Sequence, residues 1–290
     1  MSLFFVKVAF APLIILAASL LAHRLGPRSA GLLIGLPTTA LPFLLTIYLT
    51  HGTAAALTTA VGSITGQVTC VLYCIAYAYV APRLGPITSM LAAIGVAMTL
   101  GFATLALHNP YVTAVIALAV AVVGIATWPA GTSARAATAT PAWSVPLRMV
   151  LVTLTVVGLA ALEPLLGVVL AGALASLPTI LLVMTPAVHW SQGPADAVTL
   201  VWGTLVSITG TVVFLVVLVA TAPALGLWPA LALALLALPV GPAATRALAS
   251  RLRRAGLLRG LVGVEVGVLA PPLHRQQLGV DPAGVRELSR

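Results

Sequence analysis

Long apolar stretches, separated by short polar breaks, run along most of the chain. As helices that rise roughly 1.5 Å per residue, stretches of this length cross the hydrocarbon core of a bilayer, which is about 30 Å thick. The breaks contain glycine, proline, histidine or asparagine, as in 82–86 and 108–110, and are typical of helix ends. The pattern predicts nine membrane-spanning helices, at about 4–23, 29–50, 54–81, 86–107, 110–130, 146–164, 166–188, 197–222 and 226–247.

A tenth apolar stretch, 255–273, carries Arg259 and Glu265. Each charge at the centre of a membrane helix costs about 2.5–3.5 kcal/mol on insertion scales. We therefore count nine spans and leave open whether 255–273 crosses the membrane.

The chain contains an internal repeat. The run Leu25–Thr38 matches Leu166–Thr179 at a shift of 141 positions, with Leu-Gly, Ala-Gly and Leu-Pro-Thr in register. Because five predicted spans precede the second copy, that copy enters the membrane from the opposite side. We predict an all-α polytopic membrane protein, an inverted-topology repeat of two four-helix units joined by a connector helix. The parts are 1–108 (first repeat), 109–145 (connector helix and polar linker), 146–248 (second repeat) and 249–290 (basic C-terminal segment).

Charge predicts the orientation. Charged residues make up 7% of the chain and apolar residues 61%, and the net charge is +9. Nearly all arginines fall in loops on one side of the predicted topology, which indicates an outer N-terminus and a cytoplasmic C-terminus in a bacterial inner membrane. We expect these arginines to face anionic headgroups, so the bilayer is the predicted partner of the basic charge and nucleic acid is not.

The segments Val6-Lys7-Val8, Ala30-Gly31-Leu32 and Leu36-Pro37-Thr38-Thr39-Ala40-Leu41 resemble the GlpM family of small bacterial inner-membrane proteins. The likeness covers most of the first copy and is weaker in the second. Members of that family are single units of about four membrane helices. The resemblance implies that this chain joins two such units, and it implies a role in the cell envelope rather than a defined reaction.

The repeated Leu-Pro-Thr elements are the first candidate site, with Pro37, Thr38 and Thr39 in one copy and Pro178 and Thr179 in the other. A proline inside a membrane helix frees a backbone carbonyl about one turn earlier. Matching breaks in inverted repeats commonly line a central binding site, and the threonines would add hydroxyls there. The alternative is a kink that serves packing only.

The most polar predicted helix is 54–81. Spacings of three and four place one set of its side chains on a single face: Ser63, Gln67, Cys70, Cys74 and Tyr77. The second copy repeats part of this pattern as Ser207 and Thr209. Such a stripe could line a substrate pathway, and Gln67 must find partners because a buried amide without them is costly. The alternative is packing, because small and hydroxyl residues often join membrane helices.

Few ionisable groups lie near the predicted spans. Lys7 and Arg148 hold equivalent places in the two copies, and either snorkel to the headgroups or form gates on opposite sides. Glu163 is the acidic candidate for proton coupling, against the alternative of a solvated loop carboxylate.

With five acidic residues and no hydrolase, phosphate-loop or metal-ligand motif, the sequence does not indicate an enzyme, a metal site or a cofactor. We predict a transporter that moves a small organic solute or a lipid-linked envelope precursor by alternating access between the repeats. The alternative is a non-transporting scaffold in an envelope-biosynthesis complex. A second copy of the chain is a further partner that the sequence leaves open.

Overall fold

A computed structural model describes residues 37, 40–107, 109–128, 150, 154, 157–159, 161–176 and 179–255, and every regular element among them is helical. This confirms the all-α class, whereas the nine-helix inverted repeat stays a prediction. The helices are α1 (Ala40–Val80), α2 (Pro86–Ala103), α3 (Pro110–Ala126), α4 (Val168–Ala175), α5 (Thr179–Gln192), α6 (Pro194–Leu225), α7 (Leu227–Ala237) and α8 (Val240–Arg254), with a 3₁₀ turn at Thr104–Ala106.

Three of the described helical stretches are long and apolar enough to cross a membrane. They are α1, α6 and the α7–α8 stretch Leu227–Arg254. Shorter apolar helices lie at Pro86–Gly101 and at α3. An apolar, helical chain of this kind is compatible with a place in a membrane.

Glycines with positive φ break the helices at matching places in the two copies. Within α1, Gly52 has φ 83° and ψ −174°, and Gly193, between α5 and α6, has φ 96° and ψ 171°. A residue with a Cβ adopts this backbone only with strain, whereas glycine does so freely. The two glycines are 141 positions apart, so the two copies share a local backbone conformation as well as sequence.

The helices α1 and α6 occupy the centre of the fold. Helix α1 packs against α2, α3, α4 and α6, and α6 packs against α3, α5, α7 and α8. Alanines and a few large side chains, among them Tyr73, Tyr77 and Phe214, fill the core between them. One long central helix therefore comes from the first half of the chain and the other from the second half.

The backbones of α1 and α4 touch at glycines. An added Cβ at Gly62 would overlap the carbonyl oxygen of Val169, and one at Gly66 would overlap that of Ala173. From the other side, a Cβ at Gly172 would overlap the carbonyl oxygen of Thr59. This is the close approach that small residues permit between membrane helices.

A second glycine contact occurs once in each copy. Gly101 of α2 lies against Thr69 of α1, and Gly241 at the start of α8 lies against Thr209 of α6. Both members of the second pair lie 140 positions after those of the first. Gly101 meets the side chain and Cα of Thr69, and Gly241 meets the backbone carbonyl of Thr209, so a glycine lets α2 approach α1 and another lets α8 approach α6.

One end of the bundle gathers arginines. The Tyr79 hydroxyl of α1 donates to the carbonyl of Thr127 after α3 (2.8 Å), and Arg253 Nε of α8 donates to the carbonyl of Ala126 (2.8 Å). Arg83 follows α1 and donates to the carbonyl of Tyr79 (3.3 Å). The C-terminal ends of α1, α3 and α8 therefore meet at what we call the arginine end.

The opposite end of the bundle lies near Gly52. There His51 lies beside Glu163, and the ring centroids of Tyr48 and Trp228 are 5.9 Å apart in an edge contact. The helix from Gly52 to the arginine end is roughly 40 Å long, since a helix rises about 1.5 Å per residue.

The α1–α4 contact predicts a large effect of a small substitution. We expect Gly62→Ala to lower the free energy of unfolding by on the order of 1–3 kcal/mol, because the new methyl group forces the two backbones apart. Unfolding of the purified protein in mixed detergent micelles measures the change. Gly95→Ala is the matched control, because a Cβ at Gly95 of α2 meets no atom within 4 Å. Equal loss of stability in the two variants would contradict the close packing.

Candidate functional site

The candidate site is the interface between the second half of α1 and the segment 163–189, which contains α4 and most of α5. Three side chains of α1 bond across it. The Ser63 hydroxyl donates to the carbonyl of Gly172 (3.1 Å), and the Cys70 thiol donates to the carbonyl of Ser176 (2.8 Å). Seven residues further, the Tyr77 hydroxyl lies 2.9 Å from Nδ1 of His189. We call this surface the α1–α4–α5 interface.

The interface joins the two sequence copies. Its α1 side belongs to the first copy and its α4 and α5 side to the second, with 106 to 112 positions between bonded residues. Residue numbers rise in the same direction on both sides, so the two chain segments run parallel. Any movement of one copy against the other must break or shift these contacts.

The polar stripe predicted on 54–81 lies on this interface, and part of it serves packing. Ser63 is buried, and its hydroxyl donates to the carbonyl of Gly172, which also accepts the backbone N–H of Ser176. A serine hydroxyl that bonds across two touching helices stabilises their contact. For Ser63, the structure therefore gives a packing contact of the kind that the alternative interpretation expects.

Three buried hydroxyl groups at the interface lack partners. The side-chain oxygens of Tyr73, Ser176 and Thr185 have no hydrogen-bond partner among the described residues. The Tyr73 hydroxyl faces that of Thr185, but the two do not meet in hydrogen-bonding geometry. A buried polar group without a hydrogen bond destabilises the fold by about 1–3 kcal/mol. A bound ligand, a water molecule or another conformation of the protein would supply the partners that these hydroxyls lack here.

Gln67 adds an amide to the same side of α1. It lies four residues after Ser63 and three before Cys70, within one helical turn of each. The residue is 6% exposed, and no hydrogen bond joins its amide to any residue that the structure describes. The carbonyl and amino groups of Gln67 therefore remain available at the centre of the interface.

Polar pairs lie at both ends of the interface. Near the arginine end, Tyr77 bonds His189, and the rings also meet edge to face with centroids 6.1 Å apart. At the opposite end, Nε2 of His51 lies 3.7 Å from Oε2 of Glu163. A solvated loop carboxylate is wrong for Glu163, because the residue is 8% exposed and its carboxylate faces an imidazole.

Ser207 and Thr209 lie two residues apart on α6 and therefore on different faces of that helix. Thr209 bonds the carbonyl of Val206 (2.6 Å), and its hydroxyl lies 3.3 Å from that of Thr245 in α8. Its hydroxyl therefore packs against α8, and a place for Thr209 in the same site as Gln67 stays a prediction. Ser207, two residues earlier on the helix, is buried and engaged in its own contacts.

The prolines and threonines of the Leu-Pro-Thr elements are only partly described. Pro37 is buried, and its carbonyl accepts the backbone N–H of Leu41 (2.9 Å), so it opens α1. Thr179 is the first residue of α5. The other predicted site residues lie outside the described residues: Lys7, Thr38, Thr39, Arg148 and Pro178.

The sequence did not predict the Tyr77–His189 contact, nor that Tyr73 and Thr185 face each other without a hydrogen bond. The seven-residue spacing of Ser63, Cys70 and Tyr77 pointed to one helix face, but no local signal connects that face to residues more than 100 positions later. Among the residues that the structure describes, no group of three histidine, cysteine or acidic side chains is placed to hold a metal ion.

The Tyr77–His189 bond predicts an energetic coupling. In a double-mutant cycle of Tyr77→Phe and His189→Ala, we expect a coupling of about 0.5–3 kcal/mol in the free energy of unfolding. Pairing Tyr79→Phe with His189→Ala is the control, since the Tyr79 hydroxyl bonds Thr127 instead. The control pair should be additive, and additivity of the Tyr77 cycle would contradict a bond that contributes to stability.

Comparison with models of protein families, with curated proteins and with solved structures finds no match to this chain. The resemblance to the GlpM family therefore stays a prediction, and the function has to be argued from the residues themselves.

Proposed function

We propose that the chain is a polytopic transporter of the bacterial inner membrane. In this proposal two inverted repeats move against each other and carry a small organic solute or a lipid-linked envelope precursor by alternating access. The observation that carries the proposal is the set of unpaired polar groups at the α1–α4–α5 interface, enclosed between polar pairs at its two ends.

Internal symmetry supports the repeat architecture. Gly52 and Gly193, 141 positions apart, share a backbone conformation, and Leu-Gly, Ala-Gly and Leu-Pro-Thr recur at the same shift. Two units of one ancestry are the usual basis of alternating access, because each can move as a rigid body around a site between them. The membrane orientation, with the arginine end in the cytoplasm, follows from the preference of arginine for cytoplasmic loops.

The polar pairs at the ends of the interface are suited to act as gates. A site that opens to alternate sides needs contacts at each end that form and break at modest cost. The Tyr77–His189 bond and the His51–Glu163 pair lie on opposite sides of the glycine contacts, roughly 35–40 Å apart along α1. Each joins the first copy to the second, so separating the copies at one end breaks one pair and leaves the other.

The chemistry at the centre of the interface favours an uncharged mode of recognition. The unpaired buried groups are hydroxyls, with the Gln67 side chain on the same side of α1, and among the described residues there no arginine, lysine or carboxylate lies between the two end pairs. Because the one carboxylate that the structure describes at this interface, Glu163, lies at its end and not between the two end pairs, we do not propose steep coupling to protons or sodium. Facilitated diffusion or weak proton linkage is the transport mode that we propose.

A second candidate function is a scaffold subunit of an envelope-biosynthesis complex. Ser63, Cys70 and Thr209 favour it, because each uses its polar atom to bond a neighbouring helix. In a scaffold the interface stays closed, and no water reaches its centre.

Thiol labelling distinguishes the two functions. In a protein without Cys70 and Cys74, and in lipid nanodiscs that leave both faces open, we expect a hydrophilic maleimide to modify Gln67→Cys. The reason is that a transporter must open the interface to water in at least one state. Thr209→Cys is the matched control on the other central helix, since its side chain packs on α8, and it should stay unlabelled.

Arg83→Cys, an exposed position at the arginine end, must react in the same samples to show that the reagent has access. If Gln67→Cys is as inert as Thr209→Cys while Arg83→Cys reacts, the transporter proposal fails and the scaffold takes its place.

A further inference from the structure

Helix α8 presents an unusually open face. Gly241, Thr245 and Ala249, four residues apart, are buried towards α6. The other side chains of this 15-residue helix are half-buried or exposed. Most of the surface of α8 therefore faces outward.

The outward face of α8 changes from apolar to basic along its length. Val240, Ala244, Leu248 and Arg251 follow at spacings of four, four and three, which places them in one row, and Arg254 continues the row. Val240 is 55% exposed and Leu248 is 48% exposed. We call these five residues the α8 row.

The arginines of the α8 row are not neutralised within the fold. The described cationic residues other than histidine are all arginines. Arg253 donates to the carbonyls of Ile125 and Ala126 at the end of α3. The guanidinium of Arg246 lies 5.9 Å from the centroid of the Trp202 ring. In the described part of the chain, no carboxylate forms an ion pair with Arg251 or Arg254. Both guanidinium groups are left for an anion from outside.

We propose that the α8 row binds one anionic phospholipid, with its phosphate at Arg251 and Arg254 and an acyl chain along Leu248, Ala244 and Val240. Guanidinium groups bind phosphate oxygens through paired N–H donors. From Val240 to Arg251 the row extends roughly 16 Å, close to half of the hydrocarbon thickness of about 30 Å, and so matches one leaflet.

Charge and hydrophobicity together select this occupant. A nucleic acid would use the arginines and leave Val240 and Leu248 in water. A second copy, packed in parallel along the same row, would bring like charges together at Arg251 and Arg254. A lipid satisfies both ends of the row, and its binding does not depend on whether the chain transports a solute.

Native mass spectrometry of the full chain, released from detergent, tests the proposal. The probes are phosphatidylglycerol and phosphatidylcholine with identical acyl chains. We expect the wild type to retain phosphatidylglycerol in preference to phosphatidylcholine, and Arg251→Gln to weaken phosphatidylglycerol binding roughly fivefold, as the contribution of one arginine near an anionic surface predicts. Arg251→Lys, which keeps the charge, should retain most of the preference.

Arg83→Gln is the matched control, because it removes the same charge at the same end of the bundle but lies outside the α8 row. It should leave the lipid preference unchanged. An equal loss in Arg83→Gln and Arg251→Gln would overturn the site in favour of a diffuse charge effect.

Three other outcomes would also overturn the proposal. They are equal binding of the two lipids by the wild type, displacement of phosphatidylglycerol by soluble glycerol phosphate at equal concentration, and a lipid-free dimer that Leu248→Ser dissociates. An unchanged unfolding temperature of each variant separates a loss of lipid binding from a loss of folding.

Discussion

The fold depends on the approach of two backbones, α1 and α4, to contact distance. In an apolar surrounding, helices gain little from excluding water and are held together by dispersion forces and interhelical hydrogen bonds, both of which need short distances. The missing side chains at Gly62, Gly66 and Gly172 permit that distance. Only because the backbones touch can the short side chains of Ser63 and Cys70 reach carbonyl oxygens on the neighbouring segment.

The same closeness explains why the interface combines good packing with unsatisfied polarity. Glycine contacts hold the middle of α1 against α4, while larger side chains follow towards the arginine end, where Tyr73 and Thr185 face each other without bonding. A purely structural interface would gain by replacing such hydroxyls with apolar groups, since unpaired buried donors destabilise the fold. Their presence between the polar pairs at the two ends is therefore the feature that function has to explain.

Many of the helices could be predicted from the sequence, because the length and apolar composition of a segment are enough to indicate a membrane helix. The helix break at Gly52 falls between the predicted spans 29–50 and 54–81, and the break at Gly193 falls between the predicted spans 166–188 and 197–222. The sequence also predicted that Ser63, Gln67 and Cys70 share one face of α1, since residues three and four apart lie on the same face of a helix. The contact of Thr209 with Thr245 could not be predicted, because similarity to the first copy does not indicate which neighbour a hydroxyl meets.

By itself, the sequence determined the helical class, the positions of several breaks, the clustering of charge and the polar face of α1, because each follows from the local order of residue types. Only the tertiary structure decided which residues contact each other. Tyr77 contacts His189, Glu163 lies beside His51, and Arg253 donates to a carbonyl at the end of α3. These partners are more than 100 positions apart along the chain, and helical periodicity carries no information across such a separation. Which residues pair depends on which helix backbones approach each other closely. Glycines at the helix contacts permit that close approach.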